Sequence, residues 1–194
     1  MAAEQFSAQE SLQLIQSMIN KTRRNISGQS NYFLLWGWCA FAACIGQFIL
    51  ASVFHYAQHY LVWLITIPCI IINLIWSARD KKKIKARTYV DENMEFLWQG
   101  VGFSFFVLSM IFVRTGFYYC YPFYIMLYGL GAFVSGRILQ FKPLLIGGII
   151  NWLLAITAIW FGFEYQSLFA AVAILFSYII PGHLIRRVEQ TASL

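Results

Sequence analysis

The sequence predicts an all-α polytopic membrane protein: six transmembrane helices forming three hairpins, preceded by an amphipathic cytoplasmic helix. Three observations carry this expectation. Of 194 residues, 60% are apolar, 19% aromatic and only 11% charged, whereas a soluble domain carries about 25% charged and 45–50% apolar residues. Six uncharged stretches, residues 33–54, 60–78, 96–113, 118–136, 143–163 and 165–182, have the length of about 17–25 residues that a helix needs to cross a hydrocarbon layer roughly 30 Å thick. They are continuously apolar, without the two-residue alternation of a porin strand. Finally, the cations are sorted. Of 14 Lys and Arg, only Arg114 falls in an odd-numbered connection. The rest lie in the N-terminal segment (Lys21, Arg23, Arg24), the second-to-third connection, the fourth-to-fifth (Arg137, Lys142) and the tail (Arg186, Arg187). Basic residues stay on the cytoplasmic side, so both termini are expected there. The implied organisation is a cytoplasmic helix over 1–30, a bundle over 31–185 and a cytoplasmic tail over 186–194.

The first 30 residues lack the apolar core of a signal peptide. Ser7 and Glu10 fit a capping box and Gly28 a helix stop. Between them Leu12, Ile15, Ile19 and Ile26 make one apolar stripe opposite Gln9, Gln13, Gln16 and Asn20. Such a helix over 8–26 lies in the membrane interface, packs beneath the bundle, or binds a partner.

In the first span Ala40, Ala43, Gln47 and Ala51 share one face. In the second, Thr66, Cys69, Asn73 and Ser77 do so, and Pro68 is expected to kink the helix in mid-span. In the fifth, the series is Gly148, Asn151, Ala155, Ala158 and Gly162, and in the sixth Gln166, Ala170, Ala173 and Ser177. Steps of three and four put each series on one helical face. In lipid, small residues let helix backbones approach while amides bond across the interface. Ordinary bundle packing accounts for these faces. The alternative is a polar cluster in the bundle interior lined by Gln47, Asn73 and Asn151, with Asn73 and Asn151 at matching depth and facing each other.

Arg79, Lys81, Lys82, Lys83, Lys85 and Arg87 crowd the second-to-third connection. They set topology, and they also suit contact with anionic lipid head groups. Thr88 and Asp91 offer caps for the third helix, with Glu92 and Glu95 suited to its positive end. Orientation explains the net charge of +6, so no nucleic-acid partner is expected.

Evidence for chemistry is thin. No metalloprotease, nucleophile-elbow, phosphate-loop or dinucleotide motif is present. All eight acids lie outside the spans, whereas catalysis or proton coupling at depth generally uses an ionisable group there. His55 and His59 are four apart, a spacing that suits two metal ligands, but their aromatic neighbours read as an interfacial belt. Cys39, Cys44 and Cys69 fall inside apolar helices, and Cys120 is expected near the outer surface, free of an intrachain disulfide. No enzyme, metal or cofactor is expected.

Glu10-Ser11-Leu12 to Ile19, Tyr32-Phe33-Leu34-Leu35-Trp36-Gly37-Trp38, Gly131-Ala132-Phe133-Val134-Ser135-Gly136 and Phe141-Lys142-Pro143-Leu144 resemble a group of small six-span membrane proteins of Bacteroidetes bacteria. The resemblance implies a bacterial inner membrane and carries no activity or functional residue with it. The leading expectation is a non-enzymatic scaffold or regulatory partner acting through its cytoplasmic face, with a cytoplasmic protein or a second copy of the chain as partner. The alternative is a small oligomeric carrier or channel for a neutral or lipophilic solute.

Overall fold

The computed structural model describes residues 30–83 and 89–192. The expected N-terminal helix over 8–26, together with Lys85 and Arg87, lies outside the described residues, as do the side chains of Lys81, Lys82 and Lys83.

Among the described residues the chain is helical, without strands. Helix α1 (Ser30–Phe48) ends in a π-helical turn, Ile49–Val53. Helix α2 begins as a 3-10 segment, His59–Ile65, and continues as Thr66–Lys83. Then come α3 (Tyr89–Thr115), α4 (Cys120–Ile138) and α5 (Lys142–Ala158). Helix α6 runs as Phe163–Ile174, a π-helical turn Leu175–Ile179, and Ile180–Ala192. The expected tail over 186–194 is therefore helical as far as Ala192, continuous with α6.

Local chemistry sets the ends. Gly116 takes φ of +95° and donates its N–H to Phe112 at 2.8 Å, a left-handed stop for α3. Helix α4 ends in a Schellman motif built on Gln140 (φ +55°): Phe141 N–H reaches Gly136 O at 2.9 Å, and Gln140 N–H reaches Arg137 O at 3.3 Å. Phe141 is extended and Pro143 follows in the first turn of α5, where its missing N–H breaks no helical bond. The same reasoning corrects the expected mid-span kink. Pro68 falls in the first turn of the α-helical part of α2, directly after the 3-10 segment, and so marks a helix start.

Four runs are long and apolar enough to cross a membrane: Ser30–Val53, His59–Arg79, Tyr89–Thr115 and Phe163–Gln190. All six uncharged stretches form helices, but two fall short of that criterion. Helix α5 is apolar with only 17 residues, about 26 Å at 1.5 Å per residue. Helix α4 has 19 residues but includes Pro122, three tyrosines and Arg137, which lower its hydropathy.

The packing is uneven. Helices α1, α4, α5 and α6 supply most of the core, while only 6% of the apolar stretch of α2 and 11% of that of α3 is buried. Helices α4 and α5 form the most extensive contact. A Cβ on Gly148 of α5 would lie 2.7 Å from Gly129 O and Phe133 N of α4, and one on Gly147 would lie 2.6 Å from Phe176 O of α6. Real Cβ atoms do not come that close, so only glycines allow these backbones to meet. Helices α1 and α6 run antiparallel and are tied at both ends. At one, Ser30 Oγ donates to Glu189 at 2.5 Å; at the other, Ser52 Oγ donates to Glu164 at 3.1 Å.

Candidate ligand cavity

Helices α2 and α3 lean on this core and leave between them a cavity of about 960 Å³, at the upper end of small-molecule sites, roughly 300–1,000 Å³. Aromatic side chains make most of its wall: Trp63 from α2, Phe105 from α3, Tyr121, Tyr124 and Tyr128 from α4, and Phe163 from α6. Aromatic rings pack by edge and by tilted face, as Tyr121 does against Phe163 (centroids 5.5 Å apart) and Phe105 against Tyr128 (4.8 Å). Such rigid plates do not collapse into a seam, and the space between them stays open.

The polar groups in the wall are few, and each is oriented. Gln47 of α1 is 4% exposed. Its Oε1 accepts the indole N–H of Trp63 and the hydroxyl of Tyr121, the latter at 2.5 Å. An indole nitrogen is only ever a donor, so this pair fixes which end of the amide faces Trp63. Gln47 Nε2 has no hydrogen-bond partner among the described residues, on a side chain that lines the cavity. On α3, Ser109 Oγ donates to Phe105 O at 2.8 Å and lies 2.7 Å from Tyr124 Oη. The serine proton is thus committed to the carbonyl, and the phenol donates. Thr66 Oγ1 donates to Trp63 O at 2.7 Å, bracing the junction of 3-10 and α-helix that presents Trp63.

A second cleft of about 490 Å³ adjoins at one end of the bundle. It draws residues from three connections: His55 and Tyr56 after α1, Tyr118 before α4, and Gly162 before α6. His59, Tyr118 and Phe163 line both spaces, so the cleft is a vestibule to the cavity. His59 Nδ1 is buried without a partner. Beyond Tyr128 an aromatic column continues through Tyr178 to Trp98, with centroid separations of 5.2 and 5.7 Å.

The expected cluster of Gln47, Asn73 and Asn151 does not assemble as a unit. Gln47 belongs to the cavity. Asn151 is fully buried between α5 and α6: with both ends of its amide satisfied, it accepts from Ser177 Oγ at 3.1 Å and donates to Ala173 O at 2.9 Å and Gly147 O at 3.2 Å. Its partners are thus all on α5 and α6, and Asn73 is not one of them. Asn73 is half-buried on α2. Matching depth counted along two helices says nothing about which helices are neighbours. Of the basic cluster, Arg79 is exposed at the end of α2. Cys120, expected at the outer surface, is buried at 4% exposure and lines the cavity at the start of α4.

Sequence reasoning missed the aromatic wall. The signal was present: Tyr121, Tyr124 and Tyr128 recur at three and four on one face of an apolar helix, which packing in lipid does not require. Among the described residues no three His, Cys, Asp or Glu come together as metal ligands. What the arrangement can do is hold a neutral, largely apolar molecule between aromatic plates and give it one oriented amide N–H pair. Comparison with protein-family models, curated proteins and solved structures finds no match.

Proposed function

We propose that this chain is a non-enzymatic six-span protein of a bacterial inner membrane, with both termini cytoplasmic, that binds a neutral lipophilic molecule between α2 and α3. The aromatic cavity carries the reading. Support for the route of entry is that the outer faces of α2 and α3 are apolar and exposed, with Ile67, Ile70, Leu74, Phe103 and Phe106 among them, so a molecule dissolved in the bilayer reaches the cavity without crossing water. The topology is supported by the cation distribution and by the shared vestibule, which gathers the first, third and fifth connections at one end. A Cys placed at Tyr56 should then react with an impermeant thiol reagent on spheroplasts, and one at Lys142 should not.

A second reading, a scaffold acting through the cytoplasmic face, rests on the C-terminal part of α6, Ile180–Ala192, which is amphipathic and exposes Arg186 and Arg187. Together with Arg79, exposed near the end of α2, these cations suit contact with anionic lipid head groups.

Titration of the uncharged fluorophore 1-aminoanthracene into protein-loaded nanodiscs tests the cavity. Ala170 lines it and is 5% exposed, so Ala170→Phe places a ring in the open space. Saturable binding of one probe per chain, abolished in a folded Ala170→Phe protein, is expected. Unsaturable uptake that is identical in both proteins would exclude the reading.

A further inference from the structure

Resting on that reading, we infer that the ligand is an uncharged planar ring bearing a carbonyl, of the quinone type, with its carbonyl oxygen accepting from Gln47 Nε2.

The hydrogen-bond accounting around the cavity selects this class. The indole of Trp63 and the hydroxyl of Tyr121 both spend their protons on Gln47 Oε1. Tyr124 and Ser109 spend theirs on each other and on Phe105 O. Gln47 Nε2 is left with two unused N–H bonds on a side chain nine-tenths buried. This donor is not sealed in protein but lines the cavity, and a ligand that satisfies it gains what one that cannot must forfeit. The complement of this donor is an acceptor oxygen. A hydroxyl supplies one but brings a proton that must go to a tyrosine oxygen instead, because Gln47 Oε1 is already doubly occupied. A carbonyl supplies the acceptor alone. Charge is excluded because no described acid or base other than His59 lines the cavity, and an unpaired ion at that depth is strongly disfavoured. The planar shape follows from the wall: Trp63, Phe105, Tyr121 and Phe163 present ring faces and edges that stack on another ring.

The test is competition against bound 1-aminoanthracene in nanodiscs, using 2-methyl-1,4-naphthoquinone and its hydrocarbon counterpart 2-methylnaphthalene, each corrected for partition into protein-free discs. The wild type should prefer the quinone by about tenfold, as expected for one buried hydrogen bond. Gln47→Leu should bring the ratio to about one by weakening the quinone alone. If that variant does not fold, because Trp63 and Tyr121 lose their acceptor, Gln47→Leu with Trp63→Phe and Tyr121→Phe removes all three polar partners together and should show the same levelled ratio. Equal affinity for the two compounds in the wild type, or a preference that survives in whichever variant folds, overturns the inference and leaves the cavity reading standing. Failure of both compounds to displace the fluorophore overturns the inference, whereas the cavity reading falls only if the fluorophore itself does not bind saturably.

Discussion

The two sides of this bundle solve the same packing problem in opposite ways. On the α4–α5–α6 side, small residues meet: Gly147, Gly148, Ala155 and Ala158 let backbones touch, and Asn151 sits in the seam with both ends of its amide bonded. On the α2–α3 side, rings meet: Trp63, Phe105 and three tyrosines hold the helices apart around open space. In lipid there is no hydrophobic force to close that space, because acyl chains are as apolar as the side chains. The difference teaches that stability and the candidate site occupy different faces of the bundle, with α4 and α6 contributing to both, and substitutions on the two sides should be separable.

The largest effect is expected in the glycine seam. Gly148→Ala drives a methyl into the backbone of α4 and should destabilise by about 2–3 kcal/mol. Gly100 on α3 has nothing within 4 Å of its would-be Cβ, so Gly100→Ala should be neutral or stabilise by up to about 1 kcal/mol. Reversible unfolding in mixed micelles measures both, and equal effects would erase the contrast between the sides. Next comes Asn151→Leu, which should lose about 1 kcal/mol, near the average to upper range for interhelical hydrogen bonds in membranes. Asn73→Leu should be close to silent, and the double variant additive, because the two asparagines share no partner. A coupling well beyond 0.5 kcal/mol, on the scale of residues in contact, would place Asn73 against α5 after all. Ser30→Ala breaks the buried tie to Glu189 and should cost about 1 kcal/mol, whereas Ser52→Ala at the exposed tie to Glu164 should cost under about 0.5 kcal/mol.

Much of the close-packed side was legible in the sequence. The series on the first, fifth and sixth spans are buried as their spacing implies, from Ala40 and Ala43 through Gly148, Asn151 and Ala155 to Gln166 and Ser177; only Gly162 is exposed. Helical period needs no tertiary knowledge, and small residues announce close contact. The face of the second span points inward too, yet Thr66, Asn73 and Ser77 are only half-buried, since period cannot say how closely a neighbour stands. Which helices are neighbours was not legible. Depth matched Asn73 to Asn151, but α5 bonds to α6 through Ser177, and Gln47 pairs with residues 16 and 74 positions later. The cavity was hidden for a related reason. Composition records that rings are present, while the void between them depends on the angle at which α2 and α3 lean.

Native mass spectrometry of the wild-type chain released from membrane-derived nanodiscs, run beside Ala170→Phe, tests the central claim most directly. A cavity built for a lipophilic ligand predicts one small neutral molecule retained per wild-type chain and none on the folded variant. A wild-type chain that emerges bare, or that carries only the bulk phospholipids and in the same amount as Ala170→Phe, would contradict it.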